Sequence, residues 1–183
     1  MIIGVAGPIC SGKDSLGRIF AEKGFELIST GDIIREEMRK EGIEITRENL
    51  QKFAGEMRKK EGLSYPSNKL SRILKADKNY FVQGFRNDDE TREFKKIGKL
   101  IALDAPAKLR FERMKARNRE KDPTDFDKFL EIDKMELYGY GEKGFGFNIK
   151  KCMDMADHLI VNDGSEEDLR KKVEDLLDKI KGS

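Results

Sequence analysis

Tryptophan is absent from the 183 residues, histidine occurs once, and there are only two cysteines and four prolines. Cys10 and Cys152 lie far apart, with no C-x-x-C pair and no histidine-rich context, which argues against a disulfide framework or a zinc site. Long apolar runs are missing too. Near the start, Met1 to Ile3 and then Val5 and Ala6 fall well short of the ~20 residues of a membrane span. No basic n-region leads into an apolar core, so no secretory signal is read and a cytoplasmic location is expected. Charge of one sign is not in excess: 37 Lys+Arg against 35 Asp+Glu leave a net charge of +2. The chain therefore lacks the basic field of a nucleic-acid binder, and neither nucleic acid nor membrane is an expected partner.

What is abundant is mixed charge, 39% of residues against a usual ~25%, which reads as a solvated surface. The length suits one domain over residues 1–183, large enough to need neither disulfides nor a structural metal. There is no repeat, low-complexity tract or linker. Short apolar runs at Ile2–Ala6, Phe25–Ser29, Tyr80–Gln83, Leu100–Asp104 and His158–Val161 read as strands covered on both faces, because none alternates with period two. Between them lie helical stripes: Leu16, Ile19, Phe20; then Leu50, Phe53, Ala54, Met57; and finally Leu169, Val173, Leu176, Leu177, Ile180. The last opens with a capping-box-like Ser165-x-x-Asp168. Such alternation predicts an α/β fold, a parallel sheet with helices on both faces and ligands at the carboxyl ends of the strands.

After the first strand, Gly7-Pro8-Ile9-Cys10-Ser11-Gly12-Lys13-Asp14-Ser15 forms G-x-x-x-x-G-K directly before a helical stripe. Glycines let the backbone wrap a phosphate, amides from Gly7, Ile9, Cys10, Ser11 and Gly12 face the anion, and Lys13 adds a point charge. Nucleotide phosphate binding is the expectation. The position after the lysine is normally a magnesium-binding Ser or Thr, but here it is Asp14, followed by Ser15. A strand-end carboxylate that usually supports the metal is replaced by Gln83. Asp14 and Ser15 are therefore expected to serve Mg²⁺, with Gln83 holding its water shell; the alternative is that Asp14 only favours the positive helix end. Cys10 inside the loop is either a small filler or a thiol whose oxidation blocks binding.

Ile28-Ser29-Thr30-Gly31-Asp32-Ile33-Ile34-Arg35 then resembles the I-S-T-G-D-x-x-R element of adenylate kinases, members of the nucleoside monophosphate kinases. That resemblance implies a P-loop NTPase fold with a five-stranded parallel sheet in the order 2-3-1-4-5. It also implies that Thr30 and Arg35 hold the acceptor phosphate. Gln83-Gly84-Phe85-Arg86 resembles the family's D-G-F-P-R and adds Arg86 to the acceptor clamp. Asp104-Ala105-Pro106 leads into a stretch whose Arg113 and Arg117 match two arginines at the adenine and the transferring phosphates. Their spacing of four puts both on one helix face. Pro106 suits a first helical turn. The resemblance runs through the whole chain in element order, but dense identity is confined to residues 4–35. An acceptor-binding insertion is expected at about 31–75 and a flap at about 118–150.

That flap departs from the family. No arginine occurs between Arg119 and Arg170, and Gly139-Tyr140-Gly141 with Gly144-Phe145-Gly146-Phe147 reads either as a closing flap or as a loop capping the core. In the helix before it, Asp133 falls on an apolar stripe and should pair with a cation such as Arg117. The ending Ala156–Gly164 resembles dephospho-coenzyme A kinases, and S-G-K-D recurs in phosphomevalonate and deoxynucleotide monophosphate kinases. Small archaeal P-loop kinase-like proteins share G-D-x-I-R-E, E-N-L, R-F-E-R and D-x-x-E-L over the full length.

The expected function is transfer of the γ-phosphate of ATP, with Mg²⁺, to a nucleoside or deoxynucleoside monophosphate. Lys13, Arg113 and Arg117 are the expected catalytic residues. A hydroxyl acceptor, as in dephospho-coenzyme A kinases, would give Asp32 the role of general base; otherwise Asp32 caps its helix. A nucleotide-gated switch, or a binding protein without transfer, stays open. His158 reads as packing. The expected partners are ATP and a small phosphorylated acceptor, and the expected state is a monomer or small homo-oligomer.

Overall fold

Strand β1 (Ile2–Ala6) sits in the middle of a five-stranded, all-parallel sheet, which is why no residue in it after Ile2 is exposed. The computed structural model describes residues 1–117, 122–139 and 147–182, with side chains at all of these except 47, 48 and 51. In chain order the elements are β1, α1 (Lys13–Glu22), β2 (Phe25–Ser29), α2 (Thr30–Lys40), α3 (Arg47–Glu61), α4 (Ser67–Ile73), β3 (Asn79–Gln83), α5 (Asp88–Phe94), β4 (Lys99–Asp104), α6 (Ala107–Arg117), α7 (Phe126–Tyr138), α8 (Ile149–Asp154), β5 (His158–Val161) and α9 (Glu166–Lys181). The strands lie in the order β2-β3-β1-β4-β5. This is the P-loop NTPase arrangement that the resemblance implied.

Successive side chains of β1 point to opposite faces. Ile3 and Val5 join Phe81, Ile101, Leu103 and Ile160 against α1 and α9. On the other face Ala6, Tyr80, Val82 and Leu100 pack with Ile33, Leu70, Phe85, Phe94 and Cys152. Gly4 lies between them because a Cβ there would come within 2.5 Å of the Phe94 ring. Helix α9 opens as its sequence predicts: Asp168 N donates to Ser165 Oγ (3.1 Å) and Ser165 N returns a bond to Asp168 Oδ2 (2.9 Å).

The outer strands differ from the expectation of cover on both faces. Leu27 on β2 is 49% exposed and Leu159 on β5 is 65% exposed. Both belong to edge strands, where a short apolar run needs only partial cover. Between β2 and β3, helices α2 and α3 pack through Ile34, Met38, Phe53, Ala54, Met57 and Tyr65. Helices α6 and α7 share a smaller cluster of Phe111, Met114 and Phe129, against which the side chains of Ile9 and Cys10 rest. That contact brings the segment after β1 onto the α6–α7 pair.

Candidate phosphate-binding site

The segment Gly7–Gly12 turns the chain from β1 into α1. Two of its glycines are dictated by space and angle. A Cβ at Gly7 would lie 2.1 Å from the Leu103 carbonyl oxygen, and Gly12 has φ 102°, a left-handed conformation that glycine adopts at least cost. Cys10 is also left-handed, at φ 58°, the only non-glycine residue of that kind among the described residues. Lys13 folds back over the loop and donates from Nζ to the carbonyls of Gly7 (2.8 Å) and Pro8 (2.7 Å). Burial, with the nearby positive charge of Arg86 second, pushes the Lys13 ammonium down to about 8. The loop thus holds a cation in a cradle of backbone at the amino end of a helix, a setting suited to an anion.

Two side chains outside the loop fix its backbone. Asn162, just beyond β5, donates from Nδ2 to the Ser11 carbonyl (2.8 Å). Arg113 donates from Nη1 to the same oxygen (3.4 Å) and from Nη2 to the Asn162 carbonyl (3.0 Å). Ser11 Oγ is buried without a hydrogen-bond partner. Burial lowers the affinity of Arg113 for its proton, and burial likewise pushes the Cys10 thiol up.

Around the loop lies a cavity of about 880 Å³ at the carboxyl ends of the strands. Lys13, Asp14, Arg86, Arg113, Arg117 and Glu136 all line it. Arg117 is held by Asp122, Nε to Oδ2 at 2.7 Å and Nη2 to Oδ1 at 2.8 Å, a pairing that strengthens its hold on its proton. Arg86 reaches Glu136 at 3.8 Å and lies over the Phe147 ring at 5.2 Å. Its backbone is set separately: Arg86 N donates to Glu90 Oε2 (3.1 Å).

Not every residue singled out in the sequence reaches this cavity. Gly7, Ile9, Cys10, Gly12, Lys13, Asp14, Ser15, Arg86, Arg113 and Arg117 line it; Ser11 is buried behind the loop. Thr30 is buried behind Gly84, where a Cβ would approach Thr30 Oγ1 to 2.5 Å. Asp32 and Arg35 lie outside the cavity lining, paired at 2.7 Å on the partly exposed first turns of α2. Asp32 is not the helix cap. Ser29 takes that place, its Oγ accepting from Gly31 N at 3.2 Å, because helix α2 begins two residues before the aspartate. Gln83 closes β3 half-buried and likewise does not line the cavity.

Asp133 also finds a different partner from the one expected. It meets Arg110 rather than Arg117, whose guanidinium is taken by Asp122. Of the glycine-aromatic segment, only Gly139 and Phe147 fall within the described residues; Tyr140, Gly141, Gly144, Phe145, Gly146 and also Arg119 lie outside them.

Arg110, Asn162 and Glu136 are the residues that sequence reasoning passed over. Arg110, Arg113 and Arg117 recur at i, i+3 and i+7, one helix face, so that signal was present. Glu136 follows Asp133 by one turn, which also aims both the same way. Asn162 lies in the Ala156–Gly164 ending, whose resemblance marked the stretch but gave this residue no role.

Asp14, Ser15 and Glu136 are oxygen donors that line the cavity, together with Ser165, Glu166 and the Arg117-bound Asp122. Ser15 Oγ accepts from Arg18 at 3.0 Å and keeps lone pairs to spare. No cluster of three or more His, Cys, Asp or Glu suited to a metal occurs among the described residues. Carboxylate and hydroxyl oxygens of this kind are the donors that a hard cation such as Mg²⁺ prefers.

Comparison with known proteins bears on the fold and the family. The AAA domain family matches residues 3–139. A UPF0200 protein of Thermococcus gammatolerans is 37% identical, the match spanning 98% of this chain and 95% of that protein. A UPF0200 protein of Pyrococcus abyssi is 35% identical over 98% of this chain and 97% of its own. Among solved structures, shikimate kinase from Acinetobacter baumannii in complex with shikimate aligns with a TM-score of 0.58 at 21% identity, covering 98% of this chain and 94% of that one. Dephospho-CoA kinase from Campylobacter jejuni aligns at 0.55 and 17% identity, covering 98% and 96%. The fold is that of the small P-loop kinases, and the chain belongs to the AAA domain family and to the UPF0200 proteins.

Proposed function

We propose that this protein transfers the γ-phosphoryl group of ATP, with Mg²⁺, to a nucleoside or deoxynucleoside monophosphate. One observation carries the reading: Lys13, Arg86, Arg113 and Arg117 line a single cavity beside a backbone loop shaped for an anion. Phosphoryl transfer asks for positioning and positive charge more than for covalent help from the protein. Lys13 and the loop amides hold the donor phosphates. Arg113 and Arg117 neutralise charge that builds during transfer. Arg86 holds the acceptor phosphate, and Arg35 joins it on exchanging Asp32 for that phosphate, while Thr30, buried behind Gly84, supports the turn from within. Asp14 and Ser15 are the protein's oxygens for Mg²⁺, which when bound supplies further charge neutralisation at the phosphates.

A second reading is phosphorylation of a hydroxyl, and Glu136 favours it. A monophosphate is already an oxyanion, whereas a hydroxyl gains from a carboxylate within reach. Glu136 lies in the cavity, 3.8 Å from Arg86, while Asp32 lies outside it.

A product screen with ATP and Mg²⁺ against all ribo- and deoxyribonucleoside monophosphates and dephospho-coenzyme A tests both. Diphosphate product from a monophosphate supports the first reading. Product from dephospho-coenzyme A alone moves the assignment to hydroxyl transfer. Tight ATP binding with no product from any acceptor overturns both and leaves a nucleotide-binding protein.

A further inference from the structure

Helix α6 carries a third arginine that does not line the cavity. Arg110 is 4% exposed. Its Nε donates to the Ala105 carbonyl (2.8 Å), Nη1 to the Ile9 carbonyl (3.3 Å), and Nη1 and Nη2 together to the two oxygens of Asp133, Nη2 at 2.7 Å. Phe129 lies 5.5 Å from the guanidinium carbon. One planar group therefore joins the β4–α6 corner, helix α7 and the loop after β1.

A buried ion pair of this kind is weak support for stability, since an apolar pair of like volume often serves as well or better. The bond to Ile9 is different. The peptide between Ile9 and Cys10 is planar and trans, so its C=O and N–H point in opposite directions. Holding the Ile9 oxygen against α6 turns the Cys10 N–H to the far side of the loop. Cys10 takes the unusual φ of 58° at this peptide. Two residues on, Asn162 and Arg113 hold the Ser11 oxygen in the same way, which turns the Gly12 N–H. The loop is thus shaped from outside at two peptide planes, and one of them depends on a carboxylate that α7 supplies.

We infer that Arg110 and Asp133 are positioning residues for phosphate binding: Asp133 orients Arg110, and Arg110 sets the Ile9–Cys10 peptide so that the Cys10 amide donates to the nucleotide. This rests on the reading that the loop binds nucleotide phosphates.

The test is ADP binding by calorimetry to the full chain, together with the Cys10 amide resonance and the melting temperature. In Arg110→Met/Asp133→Leu the packing is kept and the charges are removed. The expected result is a melting temperature equal to or above wild type, ADP affinity at least about tenfold weaker (~1.4 kcal/mol), and a Cys10 amide that no longer shifts with ADP. Wild-type affinity and a wild-type Cys10 shift in the double variant would overturn the inference. Should that variant fail to fold, Arg110→Lys replaces it. A single ammonium keeps a charge beside Asp133 but cannot span Asp133, Ala105 and Ile9 together, so the same loss is expected, and its absence is again fatal. A wild-type protein that binds no ADP is a separate outcome: it refutes the nucleotide reading itself, and this inference with it.

Discussion

Arg58 donates to Glu90 Oε1 from both Nε (3.2 Å) and Nη2 (2.7 Å), joining α3 to α5. The two side chains are 9% and 0% exposed. The same carboxylate accepts from Asn87 Nδ2 and from the Arg86 amide, each at 3.1 Å. Glu90 therefore ties the helical insertion between β2 and β3 to the backbone of a cavity-lining arginine. Glu90→Ala strands a buried guanidinium and should lower stability by about 3–5 kcal/mol in urea unfolding. A loss below about 1 kcal/mol, the range of an exposed pair, would show that water reaches Arg58.

Lys13 predicts how phosphate binding depends on pH. With its ammonium pushed down to about 8 by burial and then by Arg86, the free protein carries that charge below pH 8 and loses it above. A bound polyphosphate favours the charged form and raises the value again. Binding above pH 8 must then take up a proton, so affinity should fall by up to about tenfold per pH unit there. Calorimetry of ADP in buffers of different ionisation heat checks both the fall and the proton uptake. In Lys13→Met the fall should vanish along with most of the affinity.

Asp14 separates a metal role from a helix-end role. If its carboxylate serves Mg²⁺, Asp14→Asn should weaken Mg·ATP much more than ATP in EDTA. A carboxylate that only complements the amino end of α1 is worth about 0.3–1 kcal/mol and gives no such split. Paired titrations with and without Mg²⁺ decide between the two.

Glu136 distinguishes the acceptor classes. With a monophosphate, Glu136→Gln should leave turnover within a few-fold of wild type, because a carboxylate beside Arg86 is not needed to activate an oxyanion. With a hydroxyl, turnover should drop by about 10²–10⁴. Asp32→Asn, lying outside the cavity, is expected to cause no such drop.

Much of this architecture is legible in the chain because it rests on local pattern. Five short apolar runs become five strands with ends shifted by at most one residue, and Ser165-x-x-Asp168 becomes a capping box with both bonds made. The phosphate loop is legible for the same reason: its glycines answer to φ and to space that neighbours in sequence and the adjoining strand define. Edge exposure was not legible, since an apolar run looks alike in the middle of a sheet and at its border. Nor were partners across the fold. Asp133 had several arginines within plausible reach, and only the packing of α6 on α7 selects Arg110 over Arg117. Asp32 looked like a cap because a helix boundary is hard to place to within two residues; Ser29, an equally good cap, lies at the actual start.

Asp133 and Glu136 stand one turn apart on α7. Through Arg110 the first governs a peptide of the phosphate loop, and the second faces Arg86 in the cavity. One helix therefore carries both the carboxylate that orients Arg110 and the one that faces Arg86, so a substitution that shifts α7 should alter loop shape and the charge presented to an incoming anion together.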